Sequence, residues 1–154
     1  MTMQATIRTV SAKERDLVRM FLQELADHQR AVSASYAARY TERTVDDWTE
    51  ACCRELAADH SWATIAEDGG SPVGFIKVSV EGSSGTIDDL VVLPRARGKG
   101  IGTSLLAWAQ REFDARGIKE VELTVSEGND SALAFYERHG FQTVTRTLRT
   151  GRIG

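Results

Sequence analysis

The spacing of apolar residues changes along the chain, and each change marks an element. "ATIRTV", residues 5 to 10, alternates as a short strand does. Ser11 followed three residues later by Glu14 resembles a capping box and predicts a helix running to about His28. Leu17, Met20, Phe21 and Leu25 recur there at helical spacing, with Glu24 the charged exception in the stripe. Residues 31 to 43 have no clear period. From Thr44, "TVDDWTEACCRELAADH" reads as a second helix with an acidic first turn and with Trp48, Cys52 and Leu56 on one face. The period then shortens to two. "SWATIAED" and "SPVGFIKVSV" are strands joined through Gly69, Gly70 and Pro72, and "GSSG" at 82 to 85 turns the chain into "TIDDLVVL", completing an antiparallel meander.

Past Pro94 a glycine loop leads into a helix from about Ile101 to Arg116, striped by Ile101, Leu105, Trp108, Ala109 and Phe113 and ended by Gly117. "IKEVELTVS" reads as a strand, "NDSALAFYERH" as a helix ending at Gly140, and "FQTVTRTLR" as a last strand. The order β α α β β β α β α β predicts one α+β (α/β) domain over residues 1–154, a mixed sheet with helices packed on it.

Composition adds few constraints. With 42% apolar and 27% charged residues and no low-complexity tract, the chain is an ordinary globular one. The opening residues lack a leader pattern and no later run approaches bilayer length, so a cytoplasmic location without a membrane or nucleic-acid partner is expected. Cys52 and Cys53 are adjacent, too close to staple the fold and too few for a zinc site, and read as one buried and one surface thiol. His28, His60 and His139 are scattered without ligand spacing, so neither a metal nor a catalytic histidine is expected. Charge is uneven: residues 1 to 94 carry −6 and residues 95 to 154 carry +3 of the net −3, which suits an anionic cofactor toward the carboxyl half and a cationic substrate toward the amino half.

"PRARGKGIGTSLLAWAQ", residues 94 to 110, puts Gly98, Gly100 and Gly102 among Arg95, Arg97 and Lys99 where a helix begins. A strand, a glycine loop and a helix N-terminus together form an anion site, because the unpaired first-turn amides and the helix dipole face one point. Glycines allow close backbone approach to a phosphate; the alternative is a glycine-rich turn with solvated charges. A Walker loop does not fit, since Lys99 lies between glycines, and a dinucleotide fingerprint fails at Thr103.

"LVVLPRARGKGIGTSLL" resembles the acetyl-CoA loop of the GNAT superfamily of N-acetyltransferases: Arg97, Gly100 and Gly102 fill its pattern of Gln or Arg, two residues, Gly, any residue, and Gly or Ala. "NDSALAFYERHGF" is similar to the later helix of the same superfamily, with Asn129, Tyr136, Gly140 and Phe141 matching in type and spacing. The resemblance spans about residues 86 to 141 and implies a mostly antiparallel mixed sheet, splayed at the acetyl-CoA site between the 86–92 strand and "VELTV". It implies that Leu90, Val91 and Val92 hold the pantetheine and polarise the thioester, and that the amides of Arg97, Gly98, Lys99, Gly100, Ile101, Gly102 and Thr103 hold the pyrophosphate. Asn129 and Tyr136, seven residues apart, fall on one helix face, where the small Ala132 leaves a groove; a plain N-cap and a core aromatic are the alternatives.

The resemblance implies acetyl transfer from acetyl-CoA to a primary amine, with Tyr136 as the general acid that protonates the departing sulfur. The free amine's proton also needs an acceptor. "IDDLVV" resembles a stretch of small-amine acetyltransferases whose first acid is a proposed base, which maps to Asp88, with Asp89 as a cation-binding or structural acid. An aspartate is one methylene shorter than the usual Glu, which favours a water relay. Neighbours on a strand point to opposite faces, so one of the two is expected to face the reaction centre, and pairing with surface cations is the alternative for each. Tyr36 and Tyr40 could wall the acceptor pocket or simply pack. The acceptor is expected to be a small-molecule amine of polyamine or aminoglycoside type. Thr124, where members of the superfamily that acetylate ribosomal proteins often carry Glu, weighs against a protein amino terminus, and a noncatalytic acyl-CoA-binding module is the other alternative. The last strand reads either as an arginine-protected edge or as one pairing with a second subunit in a homodimer.

Overall fold

The computed structural model describes residues 5–34 and 42–150. The chain runs β1 (Thr6–Thr9), α1 (Arg15–Val32), α2 (Glu42–Leu56), β2 (Ser61–Asp68), β3 (Ser71–Glu81), β4 (Ser84–Val92), a 3-10 turn at Pro94–Ala96, α3 (Ile101–Ala115), β5 (Glu120–Glu122) and α4 (Asp130–Arg138). The strands form one sheet in the order β1-β2-β3-β4-β5, antiparallel except that β5 lies parallel to β4. This is the mixed, mostly antiparallel sheet flanked by helices that the sequence predicts.

Alternation along the central strands divides the core between two faces. Phe75 and Val91 join Val18, Phe21 and Leu22 of α1 and Val45 and Cys52 of α2 on one face, with the Phe21 and Phe75 rings stacked at 5.5 Å. Ile76, Val78 and Ile87 meet Ile101, Leu105, Ala109 and Phe113 of α3 on the other. α3 rests directly on β3 because position 74 is glycine: a Cβ there would lie 2.8 Å from Ile101 Cγ2 and 2.9 Å from Leu105 Cδ1.

Three boundaries differ from expectation. α1 begins at Arg15, since Glu14 Oε2 accepts the Ser11 amide at 2.8 Å in a turn before the helix, and it continues to Val32 rather than His28. The strand expected over 118–126 is reduced to Glu120–Glu122, because from Leu123 the chain leaves β4 and lines a cavity. The expected last strand is absent. The Phe141 amide still bonds Tyr136 O, but residues 142–149 pair with no strand among the described residues, and Val144 and Leu148 are 85% and 91% exposed. Beyond Phe141 that segment offers only Val144 and Leu148 among Gln, Thr and Arg residues, too little apolar surface to hold it on the sheet.

Candidate active site

β4 and β5 pair only from Ser84↔Glu120 to Thr86↔Glu122 and then diverge. Residues 87–90 of β4 and 123–126 after β5 line a cavity of about 90 Å³ between the diverging segments. A larger cleft of about 380 Å³ adjoins it, bounded by Leu90–Val92, the glycine loop and α4. The two share Leu25, Leu90, Asn129, Ala132 and Tyr136, so Tyr136 stands where they meet.

The cleft has the features of an anion cradle. Gly100 caps α3 in the left-handed conformation at φ 86°, which glycine adopts without strain, and no side chain bonds the first-turn amides. Those amides therefore stay available to a ligand, with the helix dipole behind them. Leu93 N donates to Val73 O on β3, so alternation turns the amides of Leu90 and Val92 away from β3, toward the divergence. Gly98, Ile101, Gly102 and Thr103 also line the cleft, as do Val91 and Asn129. Lys99 does not. Arg97 lines it while its Nε donates to Val92 O at 3.0 Å and its Nη2 pairs with Glu24 Oε1 at 3.3 Å, which explains the lone acid in the apolar stripe of α1.

α4 is fixed from both ends. Asn129 Oδ1 accepts the Ala132 amide at 3.4 Å as the N-cap and lies 3.4 Å from His28 Nε2. His139 Nδ1 donates to Phe135 O at 2.8 Å, leaving Nε2 to accept from Thr103 Oγ1 at 3.3 Å. His28 and His139, expected to be incidental, thus help tie α4 to α1 and to the start of α3. Between these ties Tyr136 is 9% exposed, edge-on to Phe135 and Phe141 at 5.2 and 5.6 Å. Burial pushes its phenol well above the ordinary value, with Asp89 adding to the shift, so the hydroxyl holds its proton.

The two aspartates of "IDDLVV" do not take opposite faces. The β3–β4 register runs Lys77↔Asp89 and then Val78↔Ile87, so Asp88 is the extra residue of a β-bulge. Val91 lies in the α1/α2 core and Ile87 in the α3 core, which leaves Asp88 and Asp89 together on the α1/α2 side, both lining the smaller cavity. Asp88 Oδ2 takes a bond from Lys77 Nζ at 2.8 Å and its Oδ1 one from Ser79 Oγ at 3.1 Å. Lys77 also pairs with Glu55 Oε2 of α2. Its side chain is 2% exposed; burial pulls its ammonium down, and the bonds to Asp88 and Glu55 outweigh that and hold it above the usual lysine value. Asp89 makes no hydrogen bond or ion pair among the described residues. Burial pushes its carboxyl up to about 6, with Lys77 pulling the other way and Asp88 and Glu55 adding to the rise. Cys52 is buried and pushed up to about 12, an inert thiol.

Lys77 and Glu55 were missed by the sequence reading. The available signal was a single lysine inside the apolar strand "VGFIKVSV", which requires a buried counter-ion. Tyr36 and Tyr40 lie outside the described residues. No cluster of three or more metal-ligating side chains occurs among the described residues, and no helix there is long and apolar enough to cross a membrane.

A family model described as the acetyltransferase (GNAT) family matches residues 13–141. Among solved structures, a PaiA N-acetyltransferase from Thermoplasma acidophilum in complex with coenzyme A is 22% identical over 94% of both chains, with a TM-score of 0.68. A transcriptional regulator from Bacillus halodurans C-125 is 28% identical over 97% of this chain and 100% of its own, with a TM-score of 0.71. An aminoglycoside acetyltransferase from an uncultured soil metagenomic sample, in complex with sisomicin, is 15% identical over 96% of this chain and 97% of its own, with a TM-score of 0.69.

Proposed function

The chain belongs to the GNAT acetyltransferase family, and from that membership we propose that it moves an acetyl group from acetyl-CoA to a primary amine of a small molecule, of polyamine or aminoglycoside type. The observation that carries the reading is the meeting of the two cavities at Tyr136, with a glycine-loop anion cradle on one side and two aspartates on the other. The cofactor supplies the acetyl group as an activated thioester. The amides of the loop from Arg97 to Thr103 hold its pyrophosphate, and the outward amides of Leu90 and Val92 hold the pantetheine and the thioester oxygen. Asn129 orients the start of α4 against the pantetheine, and the small Ala132 leaves room for it.

On the far side the negative charge of Asp88 and Asp89 draws in an amine that is an ammonium in water, and the acid pair removes its proton, directly or through water. Tyr136, kept protonated by burial, gives its proton to the departing sulfur. The small-molecule assignment draws support from the sisomicin complex of a similar fold. The reading takes residues 1–154 as a single catalytic domain working in the cytoplasm, where its thioester substrate is made.

The test is release of free coenzyme A thiol from acetyl-CoA, screened against polyamines, aminoglycosides, amino acids and amino-terminal peptides. Release that depends on one class of small amine supports the reading. Release with amino-terminal peptides alone would reassign the acceptor, and no release with any amine, alongside tight acetyl-CoA binding, would favour a noncatalytic binding module.

A further inference from the structure

The bulge brings two aspartates to one face, and their surroundings differ. Asp88 is held by Lys77 at 2.8 Å and by Ser79 at 3.1 Å. Asp89 is the residue directly across the ladder from Lys77, yet it makes no bond to it, while two of the ammonium's three donors go to Asp88 and to Glu55. With its side chain 2% exposed, Lys77 cannot turn its ammonium to water, so these partnerships are fixed by packing. Asp89 lines the cavity that reaches Tyr136 and has no hydrogen-bond partner among the described residues.

We propose that Lys77 is a positioning residue of acetyl transfer: it locks Asp88 and Glu55 into an ion-paired net and so leaves Asp89 as the carboxylate that takes the acceptor's proton. This rests on the acetyltransferase reading and refines it, reversing the roles that the sequence suggests for the two aspartates. The protons balance. Asp89 takes one proton from the bound ammonium and passes it to water. The freed nitrogen forms its bond to the acetyl carbonyl carbon while the bond from that carbon to sulfur breaks. Tyr136 gives its proton to the sulfur and regains one from the nitrogen as that becomes an amide. The sum is ammonium plus thioester giving amide, thiol and one proton.

Among the described residues, the titratable groups that face Asp89 are Lys77 from β3, Asp88 beside it, Glu55 and Cys52 from α2, and Tyr136 from α4. The other described residues that line the cavity, among them Leu25 and Gln29 of α1 and residues 123–126, carry no charge. Cys52 and Tyr136 stay protonated at neutral pH, so they do not confuse the titration of the acid.

The test has two readouts. In protein labelled with carbon-13 at the aspartate carboxyls and free of ligand, the signal lost in Asp89→Asn should titrate near about 6 in the wild type. In Lys77→Met it should titrate about one unit or more higher, because an adjacent cation has been removed. If Lys77→Met does not fold, Glu55→Gln serves instead: Glu55 is 45% exposed and its anion raises Asp89, so its loss should lower the midpoint. The acid limb of kcat/KM, measured with the amine found by thiol release, should move with that midpoint. Asp89→Asn should lose about 100-fold or more in kcat/KM, and Asp88→Asn less than about tenfold. A midpoint unmoved in a folded Lys77→Met or Glu55→Gln variant overturns the role of Lys77, and a larger loss in Asp88→Asn than in Asp89→Asn overturns that of Asp89. If the wild type acetylates no amine, the transferase reading fails by itself, while the carboxyl titration still decides whether Lys77 governs Asp89.

Discussion

Asp89→Asn should make the protein more stable at neutral pH while impairing it as an enzyme. The carboxyl is raised from 3.8 to about 6, chiefly by burial, and no described residue bonds it in return. Each pKa unit corresponds to about 1.4 kcal/mol, so ionised Asp89 costs the fold up to about 3 kcal/mol, and water in the open cavity reduces this to about 1–3 kcal/mol. The direction with pH follows from proton binding. As pH rises from about 4 to about 6 the unfolded chain has already lost the Asp89 proton while the folded chain still holds it. The unfolded state binds fewer protons there, so stability falls through the window and is flat above it. Asparagine has nearly the same shape without the charge, and the cavity's water can satisfy its amide. For a chain of 154 residues the melting temperature should rise by about 3–10 °C at about pH 7.5, and the gap should close near about pH 4, where the native acid is neutral. Thermal melts by circular dichroism at the two pH values measure it. An equal gap at both, or a lower melting temperature for the variant at neutral pH, would show that Asp89 is not a half-buried acid destabilised by its own charge.

Tyr136→Phe keeps the edge contacts with Phe135 and Phe141 and should lower kcat by about 100-fold or more with little change in acetyl-CoA affinity; equal turnover at neutral pH removes Tyr136 from the mechanism. Gly100→Asp puts a carboxylate at the N-terminus of α3 and a Cβ on a backbone at φ 86°, so acetyl-CoA should bind at least about tenfold more weakly by calorimetry; unchanged binding refutes the cradle. Gly74→Val forces its Cβ to within 2.8 Å of Ile101 Cγ2 and should cost about 1–3 kcal/mol in urea unfolding; a variant as stable as the wild type would mean that α3 does not sit on β3 as described.

Periodicity carried the sequence reading wherever an element buries a stripe of its own. The stripe from Ile101 to Phe113 and the alternation of the meander predicted α3 and β2–β4 because burial is local to each element. It failed where the partner decides. "FQTVTRTLR" alternates as well as β1 does, but β1 has β2 to pair with, whereas the later segment has no ladder partner among the described residues and only Val144 and Leu148 to bury. The glycine loop, Asn129 and Tyr136 were legible because their spacing is set within one loop or one helix. Lys77 and Glu55 were not: they lie 22 residues apart and meet only when α2 packs on β3.

The least legible feature is the bulge, and it accounts for most of the site. β4 pairs with β5 up to Thr86, and the extra residue, Asp88, follows two positions later. A bulge bends its strand and increases the local twist. The bend therefore comes where the β4–β5 ladder ends and the cavity between the two segments begins. The same extra residue shifts the side-chain alternation, so Ile87 faces α3 while Asp88 joins Asp89 on the side of α1 and α2. Without it, Asp88 would point toward the α3 core, where an acid has no counter-ion, and Lys77 would have Asp89 as its nearest β4 partner. Asp89 would then be tied up in an ion pair and unable to take a proton near neutral pH. One added residue thus coincides with the start of the smaller cavity, supplies Lys77 with a dedicated partner, and leaves the second acid without a bond to any described residue in the cavity that Tyr136 also lines.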